Sequence, residues 1–109
     1  MIPADRPNRV RFGIGIARQI AGTGDFDADG KTDIVWENSE SGDRALWIMD
    51  GLFPQIWVNL PSVASPWGIV GAGDMNRDGW TDIIWENPDT GDHAVWLMNG
   101  IFVDTWVDL

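Results

Sequence analysis

The sequence repeats itself. GDFDADGKTDIVWEN, beginning at Gly24, returns as GDMNRDGWTDIIWEN, beginning at Gly73, an offset of 49 residues. Extended without gaps, residues 24–60 align with 73–109, and 20 of the 37 paired positions are identical. Most of the remainder are conservative, such as Val35/Ile84, Leu46/Val95, Ile48/Leu97 and Asp50/Asn99. No other feature constrains the fold as strongly. A unit written twice folds twice, and each copy buries its apolar face on a neighbour. A period of this length is that of a propeller blade.

Each copy reads as four strands. The first copy offers IAGTGD at 20–25, DIVWEN at 33–38, RALWIMDG at 44–51 and LFPQIWVNL at 52–60. The second offers WGIVGAGD at 67–74, DIIWEN at 82–87, HAVWLMNG at 93–100 and IFVDTWVDL at 101–109. The apolar runs are short, rich in Val, Ile and Trp, and broken by Gly, Asn and Asp, which excludes long helices. SESGD and PDTGD supply hairpin residues. The second and third strands are apolar on both faces: Ile34 and Trp36 oppose Val35, and Leu46 and Ile48 oppose Trp47 and Met49. A sheet with one solvated face alternates more cleanly, so each sheet is expected to lie between two neighbours. The expectation is an all-β chain of two four-stranded antiparallel propeller blades, residues 18–60 and 61–109. Residues 1–17 form a leader. Within it VRFGIGIAR, residues 10–18, alternates strictly and reads as one more strand, able to pair with a neighbouring chain's edge.

Composition narrows the function. Seventeen acidic residues against seven basic give a formal net charge of −10. Such a chain is repelled by nucleic acid and by anionic lipid. No apolar run approaches the ~20 residues that span a bilayer, and the N-terminus lacks the apolar core of a signal peptide. With no cysteine and one histidine, thiolate chemistry and multi-histidine metal sites are excluded. His93, at the position of Arg44 in the first copy, reads as a surface residue. No nucleophile–base motif and no phosphate-binding glycine loop appears, so the chain is not expected to be an enzyme.

The chemistry concentrates in two acidic loops. One runs Asp25-Phe26-Asp27-Ala28-Asp29-Gly30-Lys31-Thr32-Asp33, the other Asp74-Met75-Asn76-Arg77-Asp78-Gly79-Trp80-Thr81-Asp82. Oxygen side chains stand at positions 1, 3, 5 and 9, and glycine at position 6 permits a sharp turn. The carbonyl at position 7 can add an oxygen. An all-oxygen set with several carboxylates suits Ca²⁺, whereas bare carboxylates at such spacing repel one another. The loops are not EF-hands, because position 12 is Trp36 or Trp85 where an EF-hand has a bidentate Glu, and position 9 leads into a strand. The alternative is a loop whose aspartates only cap its own backbone.

DxDxDGxxD followed by DI[VI]WEN and then W[IL]M[DN]G resembles the FG-GAP/VCBS-type repeat, similar to the calcium-binding blades of integrin α-subunit propellers and of secreted bacterial proteins. The resemblance covers about residues 18–109. It implies a β-propeller with Ca²⁺ in a loop of each blade. Carried over residue by residue, the ligands are Asp25, Asp27, Asp29, the Lys31 carbonyl and Asp33, then Asp74, Asn76, Asp78, the Trp80 carbonyl and Asp82. Asn76 removes one charge from the second loop. The family serves adhesion, glycan binding and scaffolding, so an extracellular or bacterial cell-surface binding module is expected, or else a structural subunit of a fibre or ring.

Propellers close with 4–8 blades. Two blades therefore belong either to a longer propeller or to an assembly of three or four copies of the chain. Trp36/85, Trp47/96 and Trp57/106 recur in register and are expected to pack between blades. Trp67 and Trp80 do not recur, and Trp80 is expected to point outward. Both are candidates for stacking on a glycan or meeting an extracellular protein. Glu37/Asn38 and Glu86/Asn87 recur as turn and loop stabilisers.

Overall fold

A computed structural model describes residues 18–38 and 40–109. Eight strands lie in the described residues: β1 (Arg18–Gly24), β2 (Asp33–Asn38), β3 (Arg44–Asp50), β4 (Phe53–Leu60), β5 (Gly68–Gly73), β6 (Asp82–Asn87), β7 (Asp92–Asn99) and β8 (Phe102–Asp108). They form two antiparallel sheets, ordered β1-β2-β3-β4 and β5-β6-β7-β8. This is the all-β, two-sheet architecture that the repeat implies. Of the additional strand expected at residues 10–18, all but Arg18 lies outside the described residues, and Arg18 opens β1.

Local chemistry explains why the two sheets match. At the end of β2, the Asn38 side-chain oxygen accepts from the amides of Glu40 (3.0 Å) and Ser41 (3.1 Å), while Gly42 takes the left-handed conformation with φ 81°. Asn87 does the same for Asp89 and Thr90, with Gly91 at φ 80°. An Asn that binds backbone amides a few residues ahead, followed by a glycine free to adopt positive φ, makes a tight hairpin. Irregularities of register recur too: between Ile20 and Gly22 in β1, and between Ile69 and Gly71 in β5.

The sheets stack with the same orientation, so unlike faces meet. Register puts Val35 opposite Leu46 on one face of the first sheet, and Trp36 opposite Ala45 on the other. Val35, Leu46 and Ile48 join Ile83, Trp85, Trp96 and Met98 in one buried core. Thus the Val35 face of the first sheet lies on the tryptophan face of the second. The tryptophans form ladders across the strands: Trp36–Trp47–Trp57 with centroids 5.6 and 5.7 Å apart, and Trp96–Trp85–Trp106 at 4.9 and 5.9 Å. The expectation of packing between blades holds for the second ladder only. The first lines the outer face of its sheet, where Trp57 is 40% exposed.

The two sheets come closest through β1 and β5, where small residues let the backbones meet. A Cβ on Gly24 would fall 2.6 Å from Thr81 Cγ2. Thr81 cannot easily turn away, because it is β-branched and its Oγ1 donates to the Asp25 carbonyl at 2.9 Å. Gly24→Ala is therefore expected to destabilise the chain by about 1–3 kcal/mol through overpacking. At Gly73, its counterpart, a Cβ meets nothing within 4 Å, and Gly73→Ala should stay within about 0.5 kcal/mol. Urea denaturation of both variants checks the difference.

Candidate metal centre

Each acidic loop joins the first strand of its sheet to the second, and its aspartates shape its own backbone. In the first loop, Asp25 Oδ1 and Oδ2 accept from the amides of Asp29 (3.2 Å) and Gly30 (2.8 Å), and Asp29 Oδ1 accepts from the amide of Lys31 (2.8 Å). Asp33 is fully buried at the start of β2 and clamps two segments: its carboxylate accepts from Phe26 N and from Met49 N, both at 2.9 Å. The second loop repeats every bond. Asp74 accepts from Asp78 (3.2 Å) and Gly79 (3.0 Å), Asp78 from Trp80 (2.9 Å), and buried Asp82 from Met75 and Met98 (both 2.8 Å). The chain turns sharply twice in each loop. Ala28 and Arg77 take φ near +60° and Gly30 and Gly79 take φ 85° and 90°. The left-handed conformation costs a residue with a side chain about 1 kcal/mol. The loop bonds of Asp25 and Asp74 hold it in place.

Capping thus occupies Asp25, Asp29 and Asp33. Asp27 differs from them in one oxygen. Its Oδ1 is buried and has no hydrogen-bond partner. Burial pushes the Asp27 carboxyl up from the usual 3.8 to about 6, with the charges of Asp33 and Asp29 adding to the effect. Carboxylate oxygens of Asp25, Asp27 and Asp29 lie within 4.8 Å of one another, as do those of Asp74, Asp78 and Asp82. Asp33 stands outside the first of these sets and Asp82 belongs to the second. Lys31 and Trp80, the seventh residues, donate their amides to the fifth-position aspartates. A convergent set of carboxylates with an orphaned buried oxygen fits a hard divalent cation, which would supply the missing partner and cancel the repulsion.

The loops differ in cover. The first is roofed by the second sheet: Phe26 is fully buried, whereas its counterpart Met75 is 49% exposed. Side chains at the seventh position part company as well. Lys31 Nζ reaches Asp50 Oδ1 at 2.6 Å, an exposed pair whose hydrogen bond holds the ammonium above its ordinary value. Trp80 was expected to point outward, but it folds back over the turn between β7 and β8. A Cβ on Gly100 would lie 3.5 Å from its ring, so the absence of one makes the seat. Trp67 packs edge-on against Trp106, centroids 5.1 Å apart. Both indoles are half-buried, and they are not brought together in a common cleft.

One cluster was missed in the sequence. Glu37 and Arg44 form an ion pair at 2.8 Å, with side chains only 9% and 5% exposed. Arg44 also donates to the carbonyls of Gly42, Val63 (3.0 Å) and Trp67 (2.8 Å), and its guanidinium lies 5.0 Å from the Trp85 ring centroid. Glu37 Oε2 accepts from the Ile69 amide at 3.1 Å. Together they tie the first sheet to the linker and to the second sheet. The only signal was the recurrence of Glu37 as Glu86, read as turn stabilisation.

A family model described as an FG-GAP-like repeat matches residues 25–85, from the first acidic loop through the second and into β6. Comparisons with curated proteins and with solved structures find no match. The match spans more than half of the chain and contains both acidic loops. The chain belongs to the FG-GAP-like repeat family, and its two sheets are β-propeller-type repeat units.

Proposed function

We propose that the chain is a calcium-stabilised β-propeller module that acts in binding or adhesion outside the cell and catalyses no reaction. One observation carries the metal: Asp27, alone among the first loop's four aspartates, has a buried oxygen with no partner. A loop made only to cap itself would not leave a buried carboxylate oxygen unpaired. The all-oxygen donor set and the flexible, loop-borne geometry favour Ca²⁺ over Mg²⁺, which demands near-ideal octahedral coordination. Loop sites of extracellular modules bind at about 10⁻⁴–10⁻³ M, and a site of that strength fills only where calcium is millimolar, which is the support for an extracellular role.

Calcium at 100 times its dissociation constant is expected to stabilise the native state by about 2.7 kcal/mol, a rise in melting temperature of roughly 10 °C. Melting in EGTA and then in millimolar Ca²⁺ measures it, and superimposed curves would remove the metal. The first loop should bind more tightly than the second, since its third position is the Asp27 carboxylate where the second loop has the uncharged Asn76 amide; calorimetry on Asp29→Ala and Asp78→Ala separates the two. For the binding role, a glycan array and a panel of extracellular matrix proteins, both in calcium, are the test. Trp67→Ala and Trp80→Ala report whether either indole touches the ligand.

A further inference from the structure

We infer that this chain self-associates head to tail, the outer face of its second sheet seating on the outer face of its first sheet in another copy. The inference rests on the stacking of the two sheets and is independent of the cation.

The contact inside the chain supplies the template. The first sheet contributes Glu37, Arg44, Phe26 and the Asp25 carbonyl; the second contributes the Ile69 amide, Thr81 and Trp85. Shifted by the repeat offset, each group has a counterpart on an outer face. On the second sheet they are Glu86, His93, Met75 and the Asp74 carbonyl. On the first they are the Ile20 amide, Thr32 and Trp36. The chain thus carries both halves of its own interface a second time, with Ile, Thr, Trp and Glu unchanged.

At two of these positions exposure follows the same division, although Val95, the counterpart of Leu46, is buried within its own sheet's face. Ile69 is 8% exposed and its counterpart Ile20 is 56%. The Glu37–Arg44 pair is buried, while the Glu86–His93 pair, at 3.0 Å, has side chains 42% and 45% exposed. Beside Trp36 lies a hollow of about 290 Å³, lined also by Arg18, Glu37, Trp57 and Asn59. The matching place on the second sheet, beside Trp85, receives Arg44. Seating a second copy by the internal geometry would bring His93 over Trp36, Glu86 Oε2 to the Ile20 amide, and Thr32 Oγ1 to the Asp74 carbonyl. Closure at six or eight blades takes three or four copies, and failure to close gives a filament; both use this one contact.

Gly73 provides a selective test. A Cβ there meets nothing within the chain, but its counterpart Gly24 would clash with Thr81. Across the proposed contact Gly73 faces Thr32 of the next copy. Gly73→Val should therefore disable one face and Thr32→Arg the other, each leaving the internal core alone. Sedimentation velocity and native mass spectrometry in calcium are expected to show multimers for the unaltered chain. Each variant should be a folded monomer with association at least tenfold weaker, and an equimolar mixture of the two should give dimers and nothing larger, since only one live face of each remains. Should Gly73→Val not fold by circular dichroism, His93→Glu replaces it. A unaltered chain that stays monomeric to about 100 μM, variants that assemble as it does, or a hollow that takes a sugar in a monomer, overturns the proposal.

Discussion

Arg44→Ala is expected to cost the fold about 3–5 kcal/mol, because it leaves the Glu37 carboxylate buried without its partner. The same substitution at the same place in the second repeat, His93→Ala, should cost less than about 1 kcal/mol, since the Glu86–His93 pair is half-exposed and screened by water. The asymmetry comes from the surroundings. Arg44 serves three carbonyls as well as Glu37, two of them in the linker that leads to the second sheet. Its loss frees the linker and uncovers one face of Trp85. Replacing both partners at once, with Arg44→Met and Glu37→Gln, should be milder than Arg44→Ala alone: no charge remains buried, and the Gln oxygen still accepts from Ile69. Urea denaturation of the two single variants and the pair gives all three numbers. Equal costs for Arg44→Ala and His93→Ala would show that the two sheets do not pack as described.

The second large effect divides the first acidic loop into its structural part and the part proposed to hold the metal. Asp33→Ala removes the acceptor of two buried amides, those of Phe26 and Met49, and unpaired buried donors cost about 1–3 kcal/mol each. That loss should appear with or without calcium. Asp27→Asn should behave oppositely. In EGTA it should not destabilise the chain, because it removes a desolvated charge that Asp33 and Asp29 repel. In calcium it should forfeit the cation's stabilisation at that loop. The pH dependence follows from the raised carboxyl. An acid whose folded-state value lies near 6 and whose unfolded value is the usual 3.8 holds its proton more tightly when folded. Its contribution to stability is therefore greatest below 3.8 and is lost as pH rises towards 6. Without calcium, the unaltered chain should lose stability relative to Asp27→Asn across that window and run parallel above it. With calcium the proton and the metal compete, so affinity should fall as pH drops below about 6. Thermal melts of both proteins from pH 4 to 7, in EGTA and in calcium, give the whole pattern; a parallel pair of curves throughout would refute the assignment of Asp27.

The hairpins and loops were legible because their causes are local. Asn38 and Gly42 make a turn with the chain between them, and Asn87 and Gly91 repeat it. Apolar alternation in DIVWEN and ALWIM marks strands whichever way they face. Asp25, Asp29 and Asp33 bind amides within a few residues, except for the reach of Asp33 to Met49, so their spacing alone announced an acidic turn. The internal repeat then ensured that whatever one copy formed, the other formed too. The bend of Trp80 over Gly100 was not legible, because nothing in a loop says which neighbouring turn will lie beneath a long side chain.

Sequence by itself determined two four-stranded sheets, their turns and the clustering of carboxylates, since hydrogen bonding and strand periodicity act over a handful of residues. Tertiary structure decided which of two nearly identical faces is core and which is surface. Trp36 and Trp85 sit in DIVWEN and DIIWEN, segments that differ only at Val35/Ile84, yet only Trp85 is fully buried. Glu37 and Glu86 differ in the same way, one locked to Arg44 and Ile69, the other exposed beside His93. Burial depends on what a face is pressed against, and that partner stands 32 residues away from Glu37 at Ile69, a distance over which no pattern of spacing carries information. The physical difference between equal residues lies in the water that the other sheet removes.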